Sequence, residues 1–244
     1  MIVGLSRKQL DIVEIKALAK NPVKLRPKDA AALVLIDDSS GEAKVLLGKR
    51  RADLKFMPGQ FVFPGGRRET SDAKTPVAST LIDEDARLIA AGCGPNGTAR
   101  RANALGVAAL REFYEETGFV IGKPSDKRPD WHDFATNGLA PDLGSVRYFA
   151  RAITPPGRTR RFDTRFFIAK RSCVALEVPP PDAEFSEIRW ATFPETIDLD
   201  LPGITRTILA EVNQRLSADP HLTGTFPIPE FRMRGKTFVR EERT

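Results

Sequence analysis

Cysteine, histidine, tyrosine and tryptophan are all scarce in this chain, with two of each among 244 residues. The two cysteines, Cys93 and Cys173, lie far apart and form no CxxC pair, which excludes a disulfide framework and a thiolate zinc site. His132 and His221 have no partners at metal-ligand spacing. No apolar run approaches the ~20 residues that cross a bilayer. The first twenty residues alternate apolar and charged positions and carry no signal-peptide core, so the cytosol is the expected location. Internal repeats, low-complexity tracts and a nucleic-acid recognition motif are likewise missing.

What is present is an ordinary globular composition, 41% apolar and 29% charged, with a net charge of +6. A basic balance favours anionic partners. The basic residues come in short dispersed groups, such as Arg67-Arg68 and Arg100-Arg101, without interleaved aromatics. Small phosphorylated molecules therefore fit better than nucleic acid, and no membrane partner is expected.

The patterning predicts strands over residues 31–38 and 44–50, joined as a hairpin, and a short strand over 60–63 that stops at Pro64-Gly65-Gly66. Helical periodicity covers 76–92, with Leu81, Ile82, Leu88 and Ile89 available for burial; 93–98 reads as a loop. A helix from about 99 to 116 follows, with Leu105, Ala109, Leu110 and Phe113 as its core stripe and Gly118 at its C-cap. Strands are expected over 145–154, 161–170 and 184–193, a helix over 204–218, and a closing hairpin about Arg234-Gly235-Lys236. Strands, a central helix, more strands and a late helix imply a mixed sheet flanked by helices.

The segment from Arg111 to Phe119 carries the chemistry. Glu112, Glu115 and Glu116 lie three and four apart and share a helix face. Such a run on its own is most often a solvated helix face, and Pro64-Gly65-Gly66 on its own is most often a turn. Three repelling carboxylates also suit a hard divalent cation that engages phosphates.

Arg111, Glu112, Phe113, Glu115, Glu116, Gly118 and Phe119 fill every specified position in the second half of the Nudix box. That pattern is Gly, five residues, Glu, seven residues, then Arg-Glu-apolar-x-Glu-Glu-x-Gly-apolar. Phe61-Val62-Phe63-Pro64-Gly65-Gly66 looks like the strand and loop that open the box. The chain thus resembles the Nudix hydrolase superfamily, but its box is interrupted. Arg111 follows Gly66 by 45 positions where the pattern has 14, so about 31 residues are inserted. Counted back from the helix, Gly97 and Asn103 stand at the box offsets; counted forward from Gly66, Asp72 does. The first glutamate of the box stays unassigned. The interruption, Phe56-Met57-Pro58-Gly59, and residues 160–167 are similar to one Nudix branch, which includes the animal peroxisomal enzyme that hydrolyses coenzyme A and its acyl esters.

The resemblance implies an α/β (α+β) fold, a Nudix-type α/β/α sandwich with a mixed central sheet and a helical insert within the box. It implies one Nudix domain over 1–244, with the insert at about 67–98 and a C-terminal helix plus tail at about 200–244. The implied activity is metal-dependent hydrolysis of a pyrophosphate bond in a nucleoside diphosphate linked to another group, with CoA or acyl-CoA ahead of ADP-ribose, dinucleotides or capped RNA. A non-catalytic nucleotide sensor is the remaining alternative. Glu112, Glu115 and Glu116 would ligate Mg²⁺ or Mn²⁺ with the Gly66 carbonyl. Arg111 would orient a glutamate, and Glu116 or Glu112, or else Glu184 or Glu187, would act as base. Arg50, Phe56, Gly65 and Arg161 are the candidate substrate contacts, and a homodimer, common in the superfamily, is compatible with the chain.

Overall fold

A computed structural model describes residues 25–54, 56–235 and 237–244. The N-terminal segment whose alternation was read above lies outside the described residues, as does Lys236 of the expected closing turn. In chain order the elements are β1 (Lys28–Asp37), β2 (Lys44–Arg50), β3 (Phe61–Val62), β4 (Gly65–Arg67), α1 (Asp83–Gly92) and α2 (Ala99–Thr117). Next come β5 (Phe119–Val120), β6 (Gly122–Pro124), α3 (His132–Thr136), β7 (Leu139–Pro141), β8 (Arg147–Ile153), β9 (Phe162–Lys170), β10 (Leu176–Glu177) and β11 (Phe185–Thr192). The chain closes with α4 (Gly203–Ala218), β12 (Ile228–Arg234) and β13 (Thr237–Arg243).

The central sheet runs β11-β2-β1-β9-β8-β12-β13, with β3 added to β2 and β4 to β1. The pairs β1–β9 and β8–β12 are parallel and the others antiparallel, so the sheet is mixed as expected. Alternation along β1 explains the layering. Val34 and Ile36 face one apolar cluster with Ile208, Leu209 and Val212 of α4. Leu33 and Leu35 face the other, with Leu88 and Ile89 of α1 and Leu105, Ala109, Leu110 and Phe113 of α2. Helices thus cover both faces of the sheet, the sandwich the resemblance implies. No helix among the described residues is long and apolar enough to cross a membrane.

Two sequence expectations shift. The helix expected over 76–92 begins only at Asp83. Ahead of it the chain is extended, because Ser79 bridges to Asp142, with its hydroxyl donating to the Asp142 carboxylate and accepting from the Gly144 amide at 2.8 Å. Asp83, Glu84 and Asp85 then supply negative charge at the helix start, where the macrodipole favours it. The second shift is at Pro64-Gly65-Gly66, which is more than a turn: Gly65–Arg67 continues as β4, paired with Ala30–Ala32 of β1.

The insert folds into the body of the protein. Leu81, Leu88 and Ile89 are buried in the second cluster. Asp85 accepts from the Tyr148 amide at 2.8 Å, at the point where the β8–β9 register slips between Tyr148 and Ala150, and it pairs with Arg147. A carboxylate so placed gives a buried strand amide beside the bulge a partner.

Candidate active site

The site lies where the sheet forks. The C-terminal end of β1 pairs with β2 at Ile36–Val45, while its N-terminal end pairs with β4 at Ala32–Gly65. Between them Leu33 donates to the Pro64 carbonyl at 3.0 Å. The glycine loop is thereby pinned beside the last turns of α2, which Thr98 caps at one end and Gly118, at φ 75°, at the other.

Gly65 is sterically required, and Gly66 lets Glu112 come close to the backbone. Gly65 has φ 156°, and a Cβ there would overlap the Ala31 carbonyl oxygen. A Cβ on Gly66 would overlap the Glu112 carboxylate, so the backbone and that side chain are in close approach. The Gly65 amide donates to Glu116 Oε2 at 2.8 Å.

Arg111, buried on α2, ties the site together. Its Nε donates to Asp72 Oδ1 at 2.9 Å, its Nη2 to the Arg67 carbonyl at 3.1 Å, and its Nη1 to both Glu112 Oε1 at 2.8 Å and Glu115 Oε2 at 2.9 Å. Burial alone would favour the neutral arginine, but the Asp72 hydrogen bond and three carboxylates hold it firmly charged. Asp72 is 2% exposed and also accepts from the Glu69 amide at 2.6 Å. The forward count from Gly66 therefore gives the position that partners Arg111. Asn103, at the rival offset, instead accepts from the Leu81 amide at 3.0 Å.

The three glutamates of the helix face have different surroundings. Glu116 is 2% exposed, and its Oε1 has no hydrogen-bond partner among the described residues. Its carboxyl is pushed well above the ordinary range by burial first and then by Glu184, against a smaller opposing pull from the Gly65 amide. Glu112 is raised to about 7, chiefly by burial, despite Arg111. Glu115 is also raised by burial, but it is half-exposed, close to Glu69 and Asp182, and does not line the cleft. Among the described residues no three acidic, histidine or cysteine side chains converge closely enough to hold a metal ion as they stand, since Arg111 draws Glu112 and Glu115 towards itself. The donors nevertheless suit a hard cation. A buried, orphaned carboxylate oxygen beside two further carboxylates is electrostatically costly, and a divalent ion relieves that cost.

A cavity of about 340 Å³ opens in front of this group, lined by Gly65, Gly66, Glu112, Glu184, Arg50 and Phe56 among others. Arg50 donates to Glu184 Oε1 at 2.6 Å and to the Phe56 carbonyl at 2.9 Å, so it arrives at the cleft already paired. Glu184, immediately before β11, is brought beside Glu116, whereas Glu187 pairs with Arg189 and lies outside the cleft lining. Arg161 does not reach the cavity; its guanidinium donates to the carbonyls of Thr154 and Leu25. Arg160, just ahead of β9, lines the cavity instead, beside Phe162, Thr164 and Phe166.

No family model matches the chain. It is 26% identical over 197 residues to a putative Nudix hydrolase of Caenorhabditis elegans, covering 70% of this chain and 53% of that protein. Against an acyl-coenzyme A diphosphatase of Homo sapiens it is 24% identical over 208 residues, 61% of this chain and 53% of that protein. The chain thus spans about half the length of the curated relatives it matches. Among solved structures, a Nudix hydrolase from Alicyclobacillus acidocaldarius superposes with a TM-score of 0.59 at 25% identity, covering 82% of this chain and 95% of the other. In sequence and in fold the chain is similar to the Nudix hydrolases, including the branch that the interrupted box suggested.

Proposed function

We propose that this chain, which has the Nudix fold and resembles Nudix hydrolases in sequence, is one domain that hydrolyses the pyrophosphate bond of a nucleoside diphosphate linked to another group, with CoA or acyl-CoA as the substrate class. The observation that carries this reading is the orphaned, buried Oε1 of Glu116 beside Glu112, Glu184 and the Gly65–Gly66 backbone. Glu112, Glu116 and the Gly66 carbonyl would hold Mg²⁺ or Mn²⁺, with Glu115 joining if it leaves Arg111. Such an ion would offset the charge of the diphosphate and acidify water at the site.

The chain's own groups account for the rest. Water attacks one phosphorus, the bond from that phosphorus to the bridging oxygen breaks, and a carboxylate takes the proton. Glu112 and Glu184 both face the cavity, and either is placed to accept it. Arg50 and Arg160 line the path of an anionic chain. The setting this reading carries is a cytosolic reaction on a small nucleotide-type molecule, by a monomer or a homodimer.

The acyl-coenzyme A diphosphatase likeness, at 24% identity, supports the substrate class, as does the split box. Incubating the protein with CoA, acyl-CoA, ADP-ribose, NADH, diadenosine polyphosphates and capped RNA, with Mg²⁺ or Mn²⁺, tests it. CoA-type substrates are expected to give the highest kcat/KM. Efficient turnover of another substrate with CoA untouched would overturn the substrate class and leave the hydrolase reading standing.

A further inference from the structure

Behind the carboxylate cavity is a second chamber of about 570 Å³. The two share a wall made by Phe56, Met57, Arg160, Thr164 and Phe166, so a molecule seated in the first can extend directly into the second. The second chamber contains none of the site's carboxylates. Its floor is apolar, formed by Ala152, Phe166, Leu201, Ile204 and Phe238.

Its rim is polar, with Arg158, Thr159, Arg160 and Thr164 along it, and further polar groups there are engaged within the protein. Gln60 donates to Asp200 at 3.0 Å, the Thr154 hydroxyl accepts from the Phe162 amide at 3.0 Å, and the Thr154 carbonyl accepts from Arg161. Seated on the apolar floor, a nucleobase would leave its own donors and acceptors unpaired, at a cost of about 1–3 kcal/mol for each buried group. A hydrocarbon chain carries no such cost and gains from burial. Met57 sits at the junction with φ 49°, a conformation uncommon outside glycine and asparagine, and this directs a flexible thioether into the shared wall.

The geometry points to this chamber as the binding site for an apolar, acyl-type arm carried on the non-nucleoside side of the substrate, with Met57 as the adaptable residue between the arm and the reacting diphosphate. The inference rests on the hydrolase reading above and names what that site selects. It also places selectivity at residues 56–57, 152–166 and 201–204 rather than in the insert, none of whose residues beyond Arg67 line either chamber.

The test combines kinetics with a probe that has no diphosphate. In wild-type protein kcat/KM should rise with acyl length from acetyl- to octanoyl-CoA by about two- to fourfold per methylene until the chamber is filled. Octanoyl-pantetheine should bind by calorimetry without any divalent ion. Ile204→Trp, which fills the chamber from α4, and Thr159→Trp, at its exposed rim, should each lower the octanoyl-to-acetyl kcat/KM ratio at least tenfold and abolish octanoyl-pantetheine binding. The rim variant keeps the test decisive if the substitution on α4 impairs folding. No dependence on chain length, together with no octanoyl-pantetheine binding, overturns the inference even if CoA is hydrolysed. Loss of ADP-ribose turnover in both variants would mean that the chamber holds the nucleoside, which also overturns it. Octanoyl-pantetheine binding in a protein that hydrolyses nothing would sustain the chamber and sink the hydrolase reading.

Discussion

Arg111 and Asp72 are 39 positions apart in the chain, yet the guanidinium donates to the carboxylate at 2.9 Å with both side chains buried. This contact closes the split box: it brings the start of the insert back to the helix and fixes the arginine that holds Glu112 and Glu115.

Removing the charge at position 72 should loosen that arrangement without dissolving the fold. Asp72→Asn is expected to lower kcat roughly ten- to a hundredfold and to cost about 1–3 kcal/mol, because Arg111 stays buried with one partner fewer. Asp72→Glu, which restores the residue type of the uninterrupted box, should recover most of the activity. Steady-state kinetics and thermal melts of both variants check this; equal losses in the two would show that the charge at 72 is not what matters.

Gly65 tolerates no side chain. Gly65→Ala must either abandon φ 156° or push into the Ala31 carbonyl, and either movement draws the amide away from Glu116. A loss of about 2–4 kcal/mol is expected, together with loss of turnover. Chemical denaturation of the variant measures it, and wild-type stability would refute the close approach.

The adjacent arginines should separate cleanly. Arg160→Ala is expected to raise KM several-fold with little change in melting temperature, since this exposed residue lines both chambers. Arg161→Ala should do the reverse, costing about 1 kcal/mol through the lost hydrogen bonds to Thr154 and Leu25 while leaving KM near wild type. The opposite pattern would assign the substrate contact to Arg161.

Glu112 and Glu116 both titrate above the ordinary carboxylate value of 4.5, Glu112 at about 7. Between those values the folded protein binds protons that the unfolded chain has released. The stability these groups contribute is therefore complete below about pH 4.5 and is lost as pH rises, through about 7 for Glu112 and through its own raised pKa for Glu116. In the absence of divalent ions, Glu116→Gln should flatten the fall in melting temperature between pH 5 and 8. Added Mg²⁺ should stabilise wild type at pH 8 more than the variant. An identical pH profile in both proteins would show that Glu116 is not held at high pKa.

Much of this was legible in the sequence because it was local. The helix that carries the carboxylates, its Gly118 cap and the strands that form β1 and β9 follow from short-range patterning and turn chemistry, and all appear in the fold. What was not legible depends on distant pairing. The start of α1 at Asp83 rather than near 76 is decided by Ser79 meeting Asp142 across 63 positions. The choice of Asp72 over Asn103 needed the loop and helix in place together. That Glu115 turns outward while Glu116 is buried follows from the packing of α2 against β4, which a helical wheel does not contain.

Turnover of CoA by wild type and Glu116→Gln, measured side by side across a Mg²⁺ titration, tests the central claim most directly. The account predicts Mg²⁺-dependent cleavage between the two phosphates by wild type and a loss of at least about a hundredfold in a variant that remains folded. Turnover that ignores Mg²⁺, or a Glu116→Gln protein that works at near wild-type rate, would contradict it.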